Sequence, residues 1–141
     1  MSSRKLDDLH PTVAERAQQL MELAQAEGIE ILVTSTLRSF EEQAELFAIG
    51  RTKPGGKVTN AKAGESWHNF GLAFDVVPLV NGKAVWDSPF WNRIGELGKQ
   101  AGLVWGGDFQ SFKDKPHFEF HPDLTLAEAN RRRENSQNLL A

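Results

Sequence analysis

At 141 residues, with 16 basic and 19 acidic side chains and a formal charge of −3, the chain has the size of one domain and lacks the strongly basic character of a nucleic-acid binder. It contains no cysteine, so disulfide staples and thiolate metal sites are both excluded, and any metal must be held by His, Asp or Glu. No apolar run approaches the roughly 20 residues of a membrane span, and Met1–Asp8 lacks the apolar centre of an export signal.

Pro11 to Gly28 reads as a helix, because Val13, Ala17, Leu20 and Ala24 fall at helical spacing between a first-turn proline and a terminating glycine. Ile29–Ser35 is short and β-rich, the signature of a buried strand. Ser39 and Glu42 have capping-box spacing, so a second helix is expected to run from there to Gly50. Residues 51–65 carry Pro54, Gly55, Gly56 and Gly64 among polar side chains and read as a long loop, functional or disordered. Phe70–Val80 and Lys83–Trp86 read as a hairpin around Asn81-Gly82.

Ser88-Pro89 is expected to open a third helix, with Phe90, Ile94, Leu97 and Ala101 on one face and Gly102 as its stop. Leu103–Trp105 and Pro116–Phe120 read as short strands. Thr125 opens a last helix, which dissolves into a polar tail around 134–138. The basic run Arg131–Arg133 reads as a solvated helix face, with an anchor on an anionic surface as the bolder alternative. One α+β domain follows, with a small antiparallel sheet and flanking helices, a core over about 6–121 and a polar helix and tail over 122–141.

Two segments carry the chemistry. Within 73–77, alternation puts Ala73, Asp75 and Val77 on one face of a strand and leaves Asp75 among apolar neighbours. A buried carboxylate needs a partner, and either a metal ion or an arginine satisfies it. In the second segment, alternation sets His117, Glu119 and His121 on one face and Phe118 and Phe120 on the other. Three protein ligands plus a water is the usual arrangement of catalytic zinc, and His68, Asp75 and His117 supply such a set. Asp114 lies near enough in sequence to serve a metal-bound water as general base. Glu119 suits a carboxylate that orients a ligating histidine, or a base in place of Asp114. His121 suits a supporting or exposed role, His10 a capping role, and Trp86 and Trp91 packing.

Four segments recur here in a recognisable order: Thr36-Leu37-Arg38-Ser39 with Gln43, Ser66-x-His68-x6-Asp75, Trp105-Gly106-Gly107-Asp108, and Asp114-x-Pro116-His117-Phe118. The set resembles the D-alanyl-D-alanine carboxypeptidase/VanY superfamily of zinc peptidases. Within it the likeness is greatest to the L-alanyl-D-glutamate endopeptidases, the CwlK-like wall enzymes and related phage endolysins. The resemblance runs from about Leu6 to Phe120 and departs at Phe109, where relatives often have Trp.

The resemblance implies a hedgehog-like zinc peptidase fold. It implies Zn2+ on His68, Asp75 and His117, catalysis by Asp114 with Arg38 at the oxyanion, and substrate contacts at Ser66, Gln43 and Trp105. The implied activity is hydrolysis of the L-alanyl-D-glutamate bond of the peptidoglycan stem peptide. Trimming of D-Ala-D-Ala by the same chemistry and non-catalytic wall binding are the alternatives. A monomer acting on the cell wall is expected, with no nucleic-acid partner, no membrane insertion and no export segment in this chain.

Overall fold

The computed structural model describes residues 2–141. Helix α1 (Pro11–Ala26) begins where His10 Nδ1 accepts from the Thr12 amide at 3.2 Å, with Pro11 in the first turn, so His10 is a cap as expected. It buries Val13, Ala17, Leu20 and Ala24 completely. Strand β1 (Glu30–Ser35) follows, then α2 (Phe40–Ala48), whose capping box pairs the Ser39 hydroxyl with the Glu42 amide at 3.0 Å and the Glu42 carboxylate with the Ser39 amide at 3.2 Å.

The sheet is antiparallel, in the order β1, β2 (Ala73–Val80), β5 (His117–Glu119), β4 (Val104–Trp105), with β3 (Lys83–Ala84) paired to the far end of β2. Strand β2 starts three residues later than its composition suggests. Residues Trp67–Phe70 form a 3-10 turn, and Gly71 closes it with φ +68°, a left-handed conformation that a side chain resists. Helix α3 (Trp91–Gln100) likewise starts three residues after Ser88, because Ser88 Oγ accepts from the Phe90 amide at 3.0 Å and spends Ser88-Pro89 on a turn.

Register decides which residues share a face. Phe74 pairs with Phe118 and Phe118 with Trp105, so these three project from one side. The two phenyl rings stack at 5.6 Å, and α3 accepts that side through Gly95 and Gly98, which meet the Trp105 and Phe118 rings. Ala73, Asp75, His117 and Glu119 therefore occupy the opposite side.

The C-terminal segment is more than a polar tail. Helix α4 (Leu126–Glu134) buries Ala129, Leu124 before it is buried, and Leu139 and Leu140 pack against the core. Asn130 donates to the Gly64 carbonyl at 2.9 Å, and His10 Nε2 meets Asn138 Oδ1 at 2.9 Å. Of the basic run, Arg131 and Arg132 pair with Glu128, and the Arg133 guanidinium lies 3.9 Å over the Phe40 ring, so internal partners account for it. Among the described residues no helix is long and apolar enough to cross a membrane.

Candidate metal centre

The cross-strand pair Asp75 and His117 forms the base of the site, and His68 is brought to it by the 3-10 turn ahead of β2. Donor atoms of the three residues lie within 4.8 Å of one another. His68 Nε2 is 3.3 Å from one carboxylate oxygen of Asp75, and His117 Nδ1 is 3.2 Å from the other. The side chains of His68, His117 and Asp75 are 5%, 12% and 24% exposed, which leaves one open side to the cluster.

Each histidine is oriented by its remaining nitrogen. His68 Nδ1 meets the Thr36 carbonyl at 2.9 Å, which directs Nε2 to the cluster. His117 Nε2 meets Glu119 Oε1 at 2.7 Å, which directs Nδ1 there. A carbonyl or carboxylate behind the imidazole is the arrangement that metal-ligating histidines use. The support continues outward: His121 Nε2 bonds the other oxygen of Glu119, and the His121 ring stacks on Trp67 at 3.7 Å with planes 9° apart. Trp67 and His121, beside the segments that carry His68 and His117, thus clamp one another. Alternation placed His121 beside Glu119; nothing in the spacing announced its stack on Trp67.

The electrostatics point to a cation at this position. Burial alone would lower the His117 pKa, but its hydrogen bonds to Asp75 and Glu119 outweigh burial and raise it to about 10. Glu119 falls to about 2 despite burial, held down by His117 and His121. Asp75 is held well below the usual carboxylate range, its burial outweighed by hydrogen bonds to His117 and His68. In the metal-free protein an imidazolium proton on His117 therefore balances two carboxylates. A divalent cation bound by His68 Nε2, Asp75 and His117 Nδ1 fits the same charge balance, and an all-N,O donor set suits zinc.

Asp114 is held next to this cluster by the backbone. Its amide donates to the Gly106 carbonyl at 2.9 Å, its carbonyl accepts from the His117 amide at 3.1 Å, and the Trp105 indole donates to the Lys115 carbonyl at 2.8 Å. A Cβ on Gly106 would sit 2.2 Å from the Asp114 carbonyl oxygen, so this close approach requires glycine. Partial burial pushes the Asp114 pKa up, against the pull of His117, and the charges of Asp75, His68 and Glu119 also reach it.

The other sequence-marked residues divide by role. Arg38 is half-buried in the connection between β1 and α2; burial lowers its pKa and the Asp75 charge pulls it back up. Its guanidinium donates to Ser2 Oγ at 2.7 Å and to Gln43 Oε1 at 3.0 Å. Gln43 is completely buried, and its amide nitrogen donates to the Ala61 carbonyl at 2.8 Å, so it holds Arg38 and does not face a ligand. Trp105 is 6% exposed and lies on the helix side of the sheet, so it too is a support and not a cleft residue. A strand of two residues gives no alternation from which to read its face. Ser66 caps the turn that carries His68, its hydroxyl accepting from the His68 amide at 3.3 Å, and it remains partly exposed.

A family model described as D-alanyl-D-alanine carboxypeptidase matches residues 59–120, the stretch that contains all three donors and Asp114. The peptidoglycan L-alanyl-D-glutamate endopeptidase CwlK of Bacillus subtilis is 42% identical over 126 residues, which cover 82% of this chain and 75% of that protein. The solved L-Ala D-Glu endopeptidase ChiX of Serratia marcescens superposes with a TM-score of 0.64 at 26% identity, covering 85% of this chain and 88% of that one. The D,D-pentapeptidase VanY of a VanB-type resistance cassette, solved as an E175A mutant in complex with Zn(II), shares the fold at 17% identity and a TM-score of 0.62, covering 93% of this chain and 81% of that one. With its α+β domain, its His-Asp-His cluster and its extended identity to CwlK, the chain belongs to the D-alanyl-D-alanine carboxypeptidase family of peptidases.

Proposed function

We propose that this chain is a zinc-dependent endopeptidase that hydrolyses the L-alanyl-D-glutamate bond of the peptidoglycan stem peptide. The observation that carries the reading is the meeting of a His-Asp-His donor set with a separate carboxylate, Asp114, within electrostatic reach of all three donors. A purely structural site has no use for that fourth group. The choice of bond is supported by the 42% identity to CwlK, whose name specifies it.

His68, Asp75 and His117 would hold the zinc, which when bound would supply Lewis acidity for activating a water and the scissile carbonyl. Asp114 accepts the proton as a water O–H bond breaks and the new C–O bond forms. It returns that proton to the amide nitrogen as the C–N bond breaks, leaving a carboxylate on L-alanine and a free amine on D-glutamate. Arg38 donates to the oxygen on which negative charge develops. Gln43 and Ser2 restrict the Arg38 rotamer, and Glu119 holds His117 in the tautomer that ligation needs. The donors, the base and Arg38 all come from one chain, so a monomer suffices, and the substrate places its work at the cell wall.

The test is digestion of purified muropeptides with and without a chelator, with products identified by mass spectrometry. Chelator-sensitive release of a peptide beginning with D-Glu is expected. Release of D-Ala alone moves the enzyme to the carboxypeptidase branch, and no release with zinc bound leaves a wall-binding module.

A further inference from the structure

A groove of about 480 Å³ has Asp114 in its wall, together with Lys113, Lys115, Trp86, Asp87 and Trp91. We infer that this groove is the subsite for the leaving half of the substrate, and that Lys113 and Lys115 read the free α-carboxylate of D-glutamate. The inference rests on the peptidase reading above and extends it to substrate recognition.

Its direction follows from Asp114. The group that returns the proton must stand beside the departing nitrogen, so a groove that has Asp114 as one wall continues along the residues that follow the cut bond. The first of these is D-glutamate, which is linked onward through its side-chain carboxyl and so presents its α-carboxyl free or as an amide. Lys113 and Lys115 flank Asp114 in the chain, and all three line the groove. Both lysines are exposed, and the Lys113 ammonium makes a long contact of 3.5 Å to the Gly107 carbonyl. Asp87 also lines the groove, an anion suited to the side-chain amine of the diamino acid that follows D-glutamate in stem peptides. Trp86, 57% exposed, adds an apolar wall that a bound peptide would cover. The lining thus carries both signs of charge that this part of the peptide calls for, cations for its carboxylate and an anion for its amine.

Trp86 does not take the packing role expected of it. Instead its carbonyl accepts from the Trp91 indole at 2.8 Å while its own ring stays in solvent. Trp91 is the packed member of the pair, at 4% exposure.

The experiment compares two synthetic L-Ala-γ-D-Glu-L-Lys peptides, one with the D-Glu α-carboxylate free and one with it amidated. The zinc-loaded wild type and the K113A/K115A variant are assayed on both. The wild type is expected to favour the free carboxylate by about tenfold in kcat/KM, the scale of two partly exposed ion pairs, and to lose that preference as salt is raised. In K113A/K115A the ratio is expected to collapse to near one. A wild type that cleaves both peptides equally, or a variant that keeps the wild-type ratio, overturns the subsite and leaves the peptidase reading standing. Cleavage of neither peptide by zinc-loaded wild type overturns the peptidase reading, and the subsite with it.

Discussion

Asp114 and Glu119 are both acidic residues near His117, and their surroundings separate their work. Glu119 is buried, its pKa is lowered to about 2, and both its oxygens are engaged by His117 and His121. Such a carboxylate is a poor proton acceptor and a good support. Asp114 is an exposed residue whose pKa is raised by partial burial of the carboxyl, which suits it to take and return a proton. Asp114→Asn is therefore expected to lower kcat by about 10²–10⁴-fold while zinc content and circular dichroism stay as in the wild type. Glu119→Gln should instead weaken zinc affinity by about 10–100-fold, read by competition with a chelating dye, and should recover activity when zinc is in excess. A variant at Asp114 that lost zinc, or one at Glu119 that kept full affinity but lost kcat, would reverse the two roles.

Elements position these groups by close backbone approach. The turn Gly106–Asp108 packs under the Asp114 segment, and the Cβ of Gly106→Ala would meet the Asp114 carbonyl and the His117 side chain. That variant is expected to lose kcat far beyond its loss of stability, since the displaced group is the proposed base. On the other side of the site, α4 ties down the loop before His68 through Asn130 and Gly64 and buries Leu124 and Ala129. Removing residues 122–141 should cost at least about 2 kcal/mol, the burial of a leucine and an alanine side chain, as measured by urea unfolding. No change in stability would mean that α4 rests on the domain without supporting it.

Across the whole molecule, the metal centre couples stability to pH in opposite ways with and without zinc. In the metal-free protein His117 rises from 6.5 to about 10, so its contribution is complete below pH 6.5 and is lost as pH rises towards 10. Glu119 falls from 4.5 to about 2, so its contribution is present above pH 4.5 and is lost as pH falls towards 2. The metal-free protein should therefore lose melting temperature between pH 7 and 9. The zinc-loaded protein should not, because the metal replaces the proton on His117 and binds more tightly as protons become scarce. Zinc binding near pH 7.5 should likewise release protons, measurable by calorimetry in buffers of differing ionisation enthalpy. A metal-free melting temperature that is flat over this range would rule out the imidazolium at His117.

Local rules were enough for most elements of this chain. Helical spacing from Val13 to Ala24, the Ser39–Glu42 box, and strand alternation at Asp75 and at His117-Phe118-Glu119 are all short-range patterns, and the structure follows them. The candidate donors were legible in two steps: a chain with no cysteine and only four histidines limits the possible sets, and the four-segment likeness to zinc peptidases singled out His68, Asp75 and His117, which the fold brings together. Tertiary structure alone decided the rest, because it depends on contacts between distant segments. Trp105 faces the helices only because Phe118 pairs with it, and Gln43 turns inward only because Arg38 and Ala61 use its amide. The Trp67–His121 stack and the docking of α4 likewise join residues that no local period relates. A sequence pattern specifies what a side chain can do; whether it meets ligand or core is set by the register and packing of elements far apart in the chain.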